Sequence, residues 1–186
     1  TYEAAFPILE VNWDFTKMPI PCTKAQFLYI DGGAAIDQLN LYEVVVKGTD
    51  GAQMRIVSGE MSSIHIPHSA CGLMDESCRV EKCFDGITSG NNLCHSQSPP
   101  WFAYFDLGEP KCIATIELFN RNDTICSQCP GRIVGSVLSL RAEWNGTDLF
   151  SVPVTAATQN GGSTLRFSAP THTYVDSVKG LDATLS

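Results

Sequence analysis

Short runs of apolar residues, often alternating with polar ones, dominate the chain from residue 22 onward. The runs are rich in β-branched and aromatic side chains, and Asp-Gly, Asn-Gly and Gly-Glu-Pro turn sequences separate them. This pattern predicts eight β-strands, at residues 27–30, 39–46, 54–57, 102–107, 112–119, 137–144, 149–154 and 164–168. Many short strands without a convincing long helix predict an all-β fold, an eight-stranded jelly-roll β-sandwich with long disulfide-pinned loops.

The strand pattern also divides the chain. Residues 1–21 contain prolines and no sustained period, so we expect an N-terminal extension there. The predicted domain covers residues 22–170, and residues 171–186 are expected to form a C-terminal tail or linker. The long, weakly patterned region at 58–100 holds four of the eight cysteines, which is typical of a pinned loop that carries function. One or two helical turns are expected near residues 75–84.

The composition is that of a globular protein. Hydrophobic residues make up 44% of the chain and charged residues 17%, which argues against intrinsic disorder. The formal net charge is −8, whereas attraction to nucleic acid or anionic membrane needs clustered Lys and Arg. No apolar run reaches membrane-spanning length, so we expect no membrane insertion. Acidic loops are compatible with calcium, which prefers several oxygen ligands.

The cysteines and two N-glycosylation sequons, at Asn122 and Asn145, together favour an oxidising compartment, and we expect a secreted or cell-surface protein. Redox chemistry at the Cys-x-x-Cys sequence would need a helix start in a βαβ context, which the pattern lacks. Zinc would need a second ligand pair, for which only His65 and His68, expected to be solvated, are candidates. Proximity predicts the first three disulfides and the remainder predicts the last: Cys71–Cys78, Cys83–Cys94, Cys126–Cys129 and Cys22–Cys112.

The segment NRNDTICSQCPGR, residues 120–132, concentrates polar chemistry. The rigid donor fork of Arg121 suits vicinal sugar hydroxyls or a carboxylate, and Asp123 would hold that fork while accepting a hydroxyl proton. Upstream, His95 is both a donor and an acceptor, and the face of Trp101 could stack on a sugar. The alternative, which the residues alone favour, is a loop salt bridge between Arg121 and Asp123 with Trp101 in the core.

The order of motifs between residues 83 and 140 resembles the discoidin domain, also called the coagulation factor V/VIII type C domain, and within it the F-type, fucose-binding lectins. The family's run is an Asp-Gly turn, a Cys-His loop, Pro-Trp-Trp, Asp-Leu-Gly, Asn-Arg-x-Asp and Arg-x-x-Gly. These motifs correspond here to residues 85–86, 94–95, 100–102 (Pro-Trp-Phe), 106–108, 120–123 and 132–135. The segment LNLYEVVVKG, residues 39–48, is similar to the strand that closes many of these lectin domains. Its early position in the chain resembles a circular permutation of the domain. Such a permutation is tolerated when the two termini of a sandwich lie close together.

The resemblance implies a jelly roll whose loops at one end bind sugar. His95, Arg121 and Arg132 correspond to the histidine and the two arginines that bind fucose in F-type lectins, and Asp123 corresponds to a supporting carboxylate. A glycan at Asn122 would project beside this pocket and obstruct it.

The resemblance also implies a structural calcium ion near the sugar site. Asp85 lies in the family's metal-binding turn, and Glu43 falls where the closing strand supplies a carboxylate. Thr88, Asn91 and Asn92, with backbone carbonyls, could complete the oxygen shell. The alternative is an acid-capped turn without a metal.

These observations predict an extracellular, calcium-supported, carbohydrate-binding module within a larger surface or matrix assembly. The alternative is a structural or adhesive module whose loops contact another protein, which a glycan at Asn122 would favour. An enzyme is not expected, because the sequence lacks Gly-x-Ser-x-Gly, a phosphate-binding glycine loop and His-Glu-x-x-His. The expected partner is a glycan or an extracellular glycoprotein, with homo- or hetero-assembly compatible with this role.

Overall fold

The computed structural model describes residues 22–33, 37–65, 78–122, 126–155 and 164–169. The predicted all-β class is confirmed, because these residues form ten strands and two short 3-10 helices, Val80–Cys83 and Cys129–Ile133. The strands are β1 (Thr23–Gly33), β2 (Asn40–Lys47), β3 (Gln53–Met54), β4 (Ser58–Met61), β5 (Cys94–His95), β6 (Trp101–Ile113), β7 (Thr115–Asn120), β8 (Val137–Arg141), β9 (Asp148–Pro153) and β10 (Thr164–Ser168).

Two antiparallel sheets enclose one hydrophobic core. The strand order is β4-β6-β1-β8-β9 in the first sheet and β10-β7-β2-β3 in the second, where β5 also pairs with β2. The first sheet contributes Leu28 and Leu140 to the core, and the second contributes Val44 and Leu118. Because both inner faces feed the same cluster, the two sheets pack as a sandwich.

One predicted strand break is wrong. The Gly-Glu-Pro sequence at residues 108–110 was expected to separate two strands, but β6 continues through it to Ile113. The neighbouring strand β1 pairs with β6 on both sides of this sequence, Ala25 with Lys111 and Phe27 with Asp106, and residues 107–110 bulge out between these two pairs. The local turn preference therefore produces a bulge within one long strand, with Gly108 at a positive φ, rather than a break between two strands.

Other boundaries also differ from the pattern. Strands β4 and β5 were not predicted, since one is polar and the other has two residues; ladders to β6 and β2 hold them in place. Strand β8 ends at Arg141 because a turn follows, in which the N–H of Gly146 donates to the C=O of Glu143 at 3.1 Å. Of the helical turns expected near residues 75–84, the described part is the single 3-10 turn at Val80–Cys83.

The strand register defines the two ends of the sandwich. At one end, called here the His95 end, lie Gly33, Asn40, His95, Trp101 and Asn120. At the other end, called the Thr23 end, lie Thr23, Lys47, Ile113, Thr115 and Arg141. The loops at the His95 end therefore bring together segments that are far apart in sequence.

Three disulfides lie within the described residues, and they are three of the four predicted pairs. Cys22–Cys112 joins β1 to β6 at the Thr23 end across a sequence separation of 90 residues. The other two, Cys83–Cys94 and Cys126–Cys129, pin the loops of the His95 end. For the predicted pair Cys71–Cys78, Cys78 is disulfide-bonded and Cys71 lies outside the described residues. In the described part of the chain, no helix has the length and apolarity needed to cross a membrane.

Candidate functional site

Three neighbouring segments bring His95, Asn40 and Arg121 into one row, called here the site row. Asn40, the first residue of β2, is the direct ladder partner of His95 in β5. On the other side of β2, Leu41 pairs with Asn120, and the next N–H, that of Arg121, donates to the C=O of Asn40 at 3.3 Å. Directly opposed residues of antiparallel strands project to the same face. The row therefore lies on the outer face of the second sheet, opposite to the core residue Leu41.

His95 is held as a neutral hydrogen-bond acceptor. Its side chain is 1% exposed, and its Nδ1 lies 2.8 Å from the C=O of Ser96. A carbonyl oxygen only accepts, so Nδ1 carries the proton and Nε2 is left as an acceptor. Burial lowers the pKa of His95 to about 4, because the hydrogen bond to Ser96 only partly opposes it and the nearby positive charges of His65, Arg132 and Arg121 lower it further.

Four polar side chains border the site row: Asp37, Gln38, His65 and Arg132, called here the polar rim. The Nε of Arg132 lies 3.1 Å from Oδ2 of Asp37, an ion pair without hydrogen-bond alignment. Its Nη1 donates to Oε1 of Gln38 at 3.3 Å, and Nε2 of Gln38 lies 3.4 Å from Nδ1 of His65. Gln38 thus joins Arg132 to His65, whose ring centroid lies 4.2 Å from that of His95.

The loop that carries Arg132 is anchored twice. The Cys126–Cys129 disulfide closes the turn before the 3-10 helix Cys129–Ile133. At its start, Nδ2 of Asn120 donates to the C=O of Pro130 at 2.8 Å, which fixes this helix against the end of β7. These two constraints hold Arg132 near His95. Along the chain, ten residues of this loop separate Arg132 from Arg121.

Trp101 is a core residue. Its side chain is 1% exposed, its Nε1–H donates to the C=O of Asp37 at 2.5 Å, and its ring lies directly against Gly32. A Cβ at Gly32 would overlap the indole, so the glycine allows the close approach. Because no face of the ring is exposed, the structure gives no support for stacking of Trp101 on a sugar. The position of Trp101 in the core cluster agrees with the alternative stated above.

The two sequons lie at different places on the sandwich. Asn122 is exposed and follows Arg121 directly, so a glycan there would stand at the His95 end. Asn145 is exposed in the turn after β8, at the Thr23 end. A glycan on Asn145 would therefore not cover the His95 end. The predicted supporting carboxylate, Asp123, lies outside the described residues.

Asn40 is the member of the row that the sequence did not single out. Its side chain is 1% exposed, and within the described structure neither Oδ1 nor Nδ2 has a hydrogen-bond partner. Leaving a buried polar atom unpaired costs about 1–3 kcal/mol, and native proteins pair nearly all of them. The only available sequence signal was its place at the start of the strand that resembles the lectin closing strand.

The predicted calcium ligands Glu43 and Asp85 also come together. Oε2 of the buried Glu43 accepts the N–H of Gly86 at 3.1 Å. Burial raises the pKa of Glu43 to about 7; the Gly86 hydrogen bond lowers it in part, and the charge of Asp85 adds to the rise. A desolvated carboxylate beside a second carboxylate is the charge pattern that a divalent cation would stabilise.

The remaining predicted ligands contribute unequally. Nδ2 of Asn92 donates to both carboxylate oxygens of Asp85, at 2.8 and 3.1 Å, and Nζ of Lys82 lies 3.5 Å from Oδ2. Thr88 and Asn91 are exposed in the same loop. The described residues contain no group of three or more His, Cys, Asp or Glu side chains that could hold a metal ion. Among the described residues, Glu43 and Asp85 are thus the charged part of the candidate calcium site, with the side-chain oxygens of Thr88, Asn91 and Asn92 in the same loop.

The site row and the polar rim together present guanidinium donors, a carboxamide and a neutral imidazole acceptor. Donors and acceptors of these kinds are able to form hydrogen bonds with hydroxyl groups. No protein-family model, curated protein or solved structure matches the chain.

Proposed function

We propose that the chain is an extracellular carbohydrate-binding module of the discoidin type, related to the F-type lectins. The observation that supports this proposal is the convergence of His95, Arg121 and Arg132 at one end of the sandwich. The three residues come from separate segments, yet both arginines lie close enough to His95 for their charge to lower its pKa. The same three residues carry the motif resemblance.

Recognition would rest on hydrogen bonds and break no bond. A sugar hydroxyl can accept from a guanidinium N–H and donate to the unprotonated Nε2 of His95. Within the rim, the Arg132 side chain is 17% exposed, so it is the member of the trio that a ligand meets first. The disulfides Cys83–Cys94 and Cys126–Cys129 would hold the binding loops in position before the ligand arrives.

Calcium belongs to this proposal as a structural ion. Glu43 and Asp85 would hold it, with oxygens of Asn92 or of the loop backbone completing the shell. The ion would supply charge neutralisation and would keep the Asp85 loop fixed against β2. The proposed location is a secreted or cell-surface one, since three disulfides lie within the described residues.

A second candidate is a structural or adhesive module whose loops contact another protein. It is favoured by the burial of His95 and Arg121, which are 1% and 7% exposed, and by the exposed sequon asparagine Asn122 beside them. In that role the buried polar row would brace the loops, and the glycan would cover them.

The test is a glycan array with the glycosylated chain, run in calcium and repeated in EDTA. Signal on fucosylated or related terminal sugars that falls in EDTA would support the first candidate. Arg132→Ala should then weaken binding at least tenfold, whereas Arg55→Ala, an exposed arginine outside the row and the rim, should leave it unchanged. A blank array in both buffers, with circular dichroism showing a folded β-protein, would rule out the carbohydrate module and leave the second candidate.

A further inference from the structure

We propose that Asn40 is a ligand-binding residue, whose carboxamide pairs with two hydroxyl groups of the sugar at the centre of the site row. This inference rests on the proposed carbohydrate-binding function. It adds a carboxamide from strand β2 to the imidazole and the guanidinium groups that the motif resemblance supplies.

The first step is the position of Asn40 between the other two members of the row. The N–H of Ser96 donates to the C=O of Leu39 at 3.0 Å, so Leu39 and Ser96 form the hydrogen-bonded pair of this ladder. Pair types alternate along an antiparallel ladder, and Asn40 and His95 are therefore a non-hydrogen-bonded pair, the type with the closer side chains. Across the other edge of β2, the backbone of Asn40 bonds to Arg121.

The second step is that both polar atoms of the carboxamide are unpaired. Asn40 Oδ1 and Nδ2 are buried without a hydrogen-bond partner in the described part of the chain, so the site contains one unused acceptor and one unused donor group. A carboxamide that served only the fold would be expected to bond to a backbone group. Asn120, which does serve the fold, shows this behaviour at one of its two polar atoms, because its Nδ2 donates to the C=O of Pro130 while its Oδ1 is unpaired.

The third step is chemical complementarity. Arg121 offers only donors, and neutral His95 offers an acceptor at Nε2, because its Nδ1–H donates to the C=O of Ser96. Asn40 lies between them and offers both. Adjacent strands are about 4.8 Å apart, so the row spans roughly 10 Å and presents donor, donor-plus-acceptor and acceptor in order. Each sugar hydroxyl both donates and accepts. Two adjacent hydroxyl groups on a sugar ring can therefore pair with Oδ1 and Nδ2 of Asn40, the central residue of the row.

A ligand would enter past the polar rim, whose side chains are more exposed than those of the row. Gln38, His65 and Arg132 are half-buried and lie around His95, whereas Asn40 itself is buried. A ligand that reaches Asn40 must therefore displace or reorder part of the contacts that Gln38 makes with His65 and Arg132.

The experiment replaces Asn40 by an apolar residue of the same size and measures two quantities. Asn40→Leu, in the full glycosylated chain, removes the unpaired polar atoms, so the melting temperature should stay the same or rise. Affinity for the glycan that gives the strongest array signal should fall at least tenfold, measured by calorimetry. An unpaired group kept at a cost in stability, and needed for binding, is the expected signature of a functional residue.

Thr23→Val is the matched control. Oγ1 of Thr23 is also buried without a partner in the described residues, but it lies at the opposite end of the sandwich. This variant should match Asn40→Leu in thermal stability and bind the glycan as the wild type does. Asn40→Val guards against a steric fault of the leucine.

Three outcomes would overturn the inference. If Asn40→Leu binds as well as the wild type, Asn40 has no role in binding, while the carbohydrate-binding function stands. If both Asn40→Leu and Asn40→Val lower the melting temperature by more than Thr23→Val does, the carboxamide is a structural group. If the wild type binds no glycan, the proposed function fails, and the role of Asn40 as a sugar ligand fails with it.

Discussion

The imidazole rings of His65 and His95 stack obliquely, with centroids 4.2 Å apart and planes inclined by 41°. The backbone N–H of His65 donates to the C=O of His95 at 2.8 Å, so the segment that follows β4 is fixed beside β5. The sequence predicted a solvated His65, and the structure instead places it half-buried against the most buried titratable group of the site row. Protonation of His95 would therefore add a positive charge beside the two that Arg121 and Arg132 already carry.

Stability should fall in acid because of His95. Its folded-state pKa is about 4, against 6.5 in the unfolded chain, so between these values the unfolded state binds more protons. The contribution of His95 is fully present above pH 6.5 and is lost as pH falls towards 4, by about 3 kcal/mol at most. Urea unfolding at pH 7 and pH 4 would measure it. The variant His95→Gln should lose less stability over that range, and an equal loss in both proteins would contradict the assigned cause.

Glu43 should act in the opposite direction when no metal is bound. Its pKa is raised from 4.5 to about 7, so the folded state holds the proton more tightly. Its contribution is therefore present below pH 4.5 and is lost as pH rises through 7. In EDTA at pH 8, Glu43→Gln should be at least as stable as the wild type, because the amide carries no charge to desolvate.

Adding calcium should reverse that order. The ion would stabilise the wild type through ionised Glu43 and Asp85, and Glu43→Gln should respond less. The measurement is the melting temperature at pH 8 with EDTA and with millimolar calcium. Glu60→Gln, a change at an exposed carboxylate outside this cluster, is the control and should keep the calcium response of the wild type. If calcium shifts neither the wild type nor the variants, the cation site is absent.

Gly32→Ala should destabilise the fold, because the added Cβ would overlap the buried ring of Trp101. Overpacking of this kind costs about 1–3 kcal/mol. Gly131→Ala is the matched control, since a Cβ there meets no atom within 4 Å. Denaturant unfolding of the two variants should separate them clearly, and equal midpoints would mean that Trp101 can move away without loss.

The disulfides should separate stability from binding. Replacing Cys22 and Cys112 by alanine opens a link across 90 residues and should cost roughly 2–5 kcal/mol, with little effect on the distant His95 end. Replacing Cys126 and Cys129, which are three residues apart, should cost less stability, because the loop that this disulfide closes is short. It should nevertheless weaken glycan binding, because the loop that carries Arg132 loses one of its two anchors. Melting temperature and glycan affinity measured on both variants would test the contrast.

Several features of the fold could be predicted because they are local. Alternating apolar residues and turn sequences predicted the regions of β1, β2, β7, β8, β9 and β10. Strands β4 and β5 could not be predicted, because partners that are distant in sequence hold them. The same cause explains the missed continuity of β6, because pairing with β1 on both sides of residues 107–110 makes the turn sequence a bulge within the strand.

The candidate site divides in the same way. His95, Arg121 and Arg132 could be selected because their side-chain chemistry and their motif order are visible along the chain. The residues alone favoured a core position for Trp101 but could not decide it, and the unpaired carboxamide of Asn40 could not be predicted, because neither is a property of a residue and its sequence neighbours. Both depend on which strands lie side by side.

The amino-acid sequence by itself determined the all-β class and the residues able to bind hydroxyl groups, since alternation, turn formation and side-chain chemistry act over a few residues. Only the tertiary structure decided that β2 lies between β5 and the end of β7, and that Asn40 therefore stands between His95 and Arg121. The physical reason is that strand pairing brings together groups separated by many residues, and their burial and charge interactions exist only after that pairing has formed.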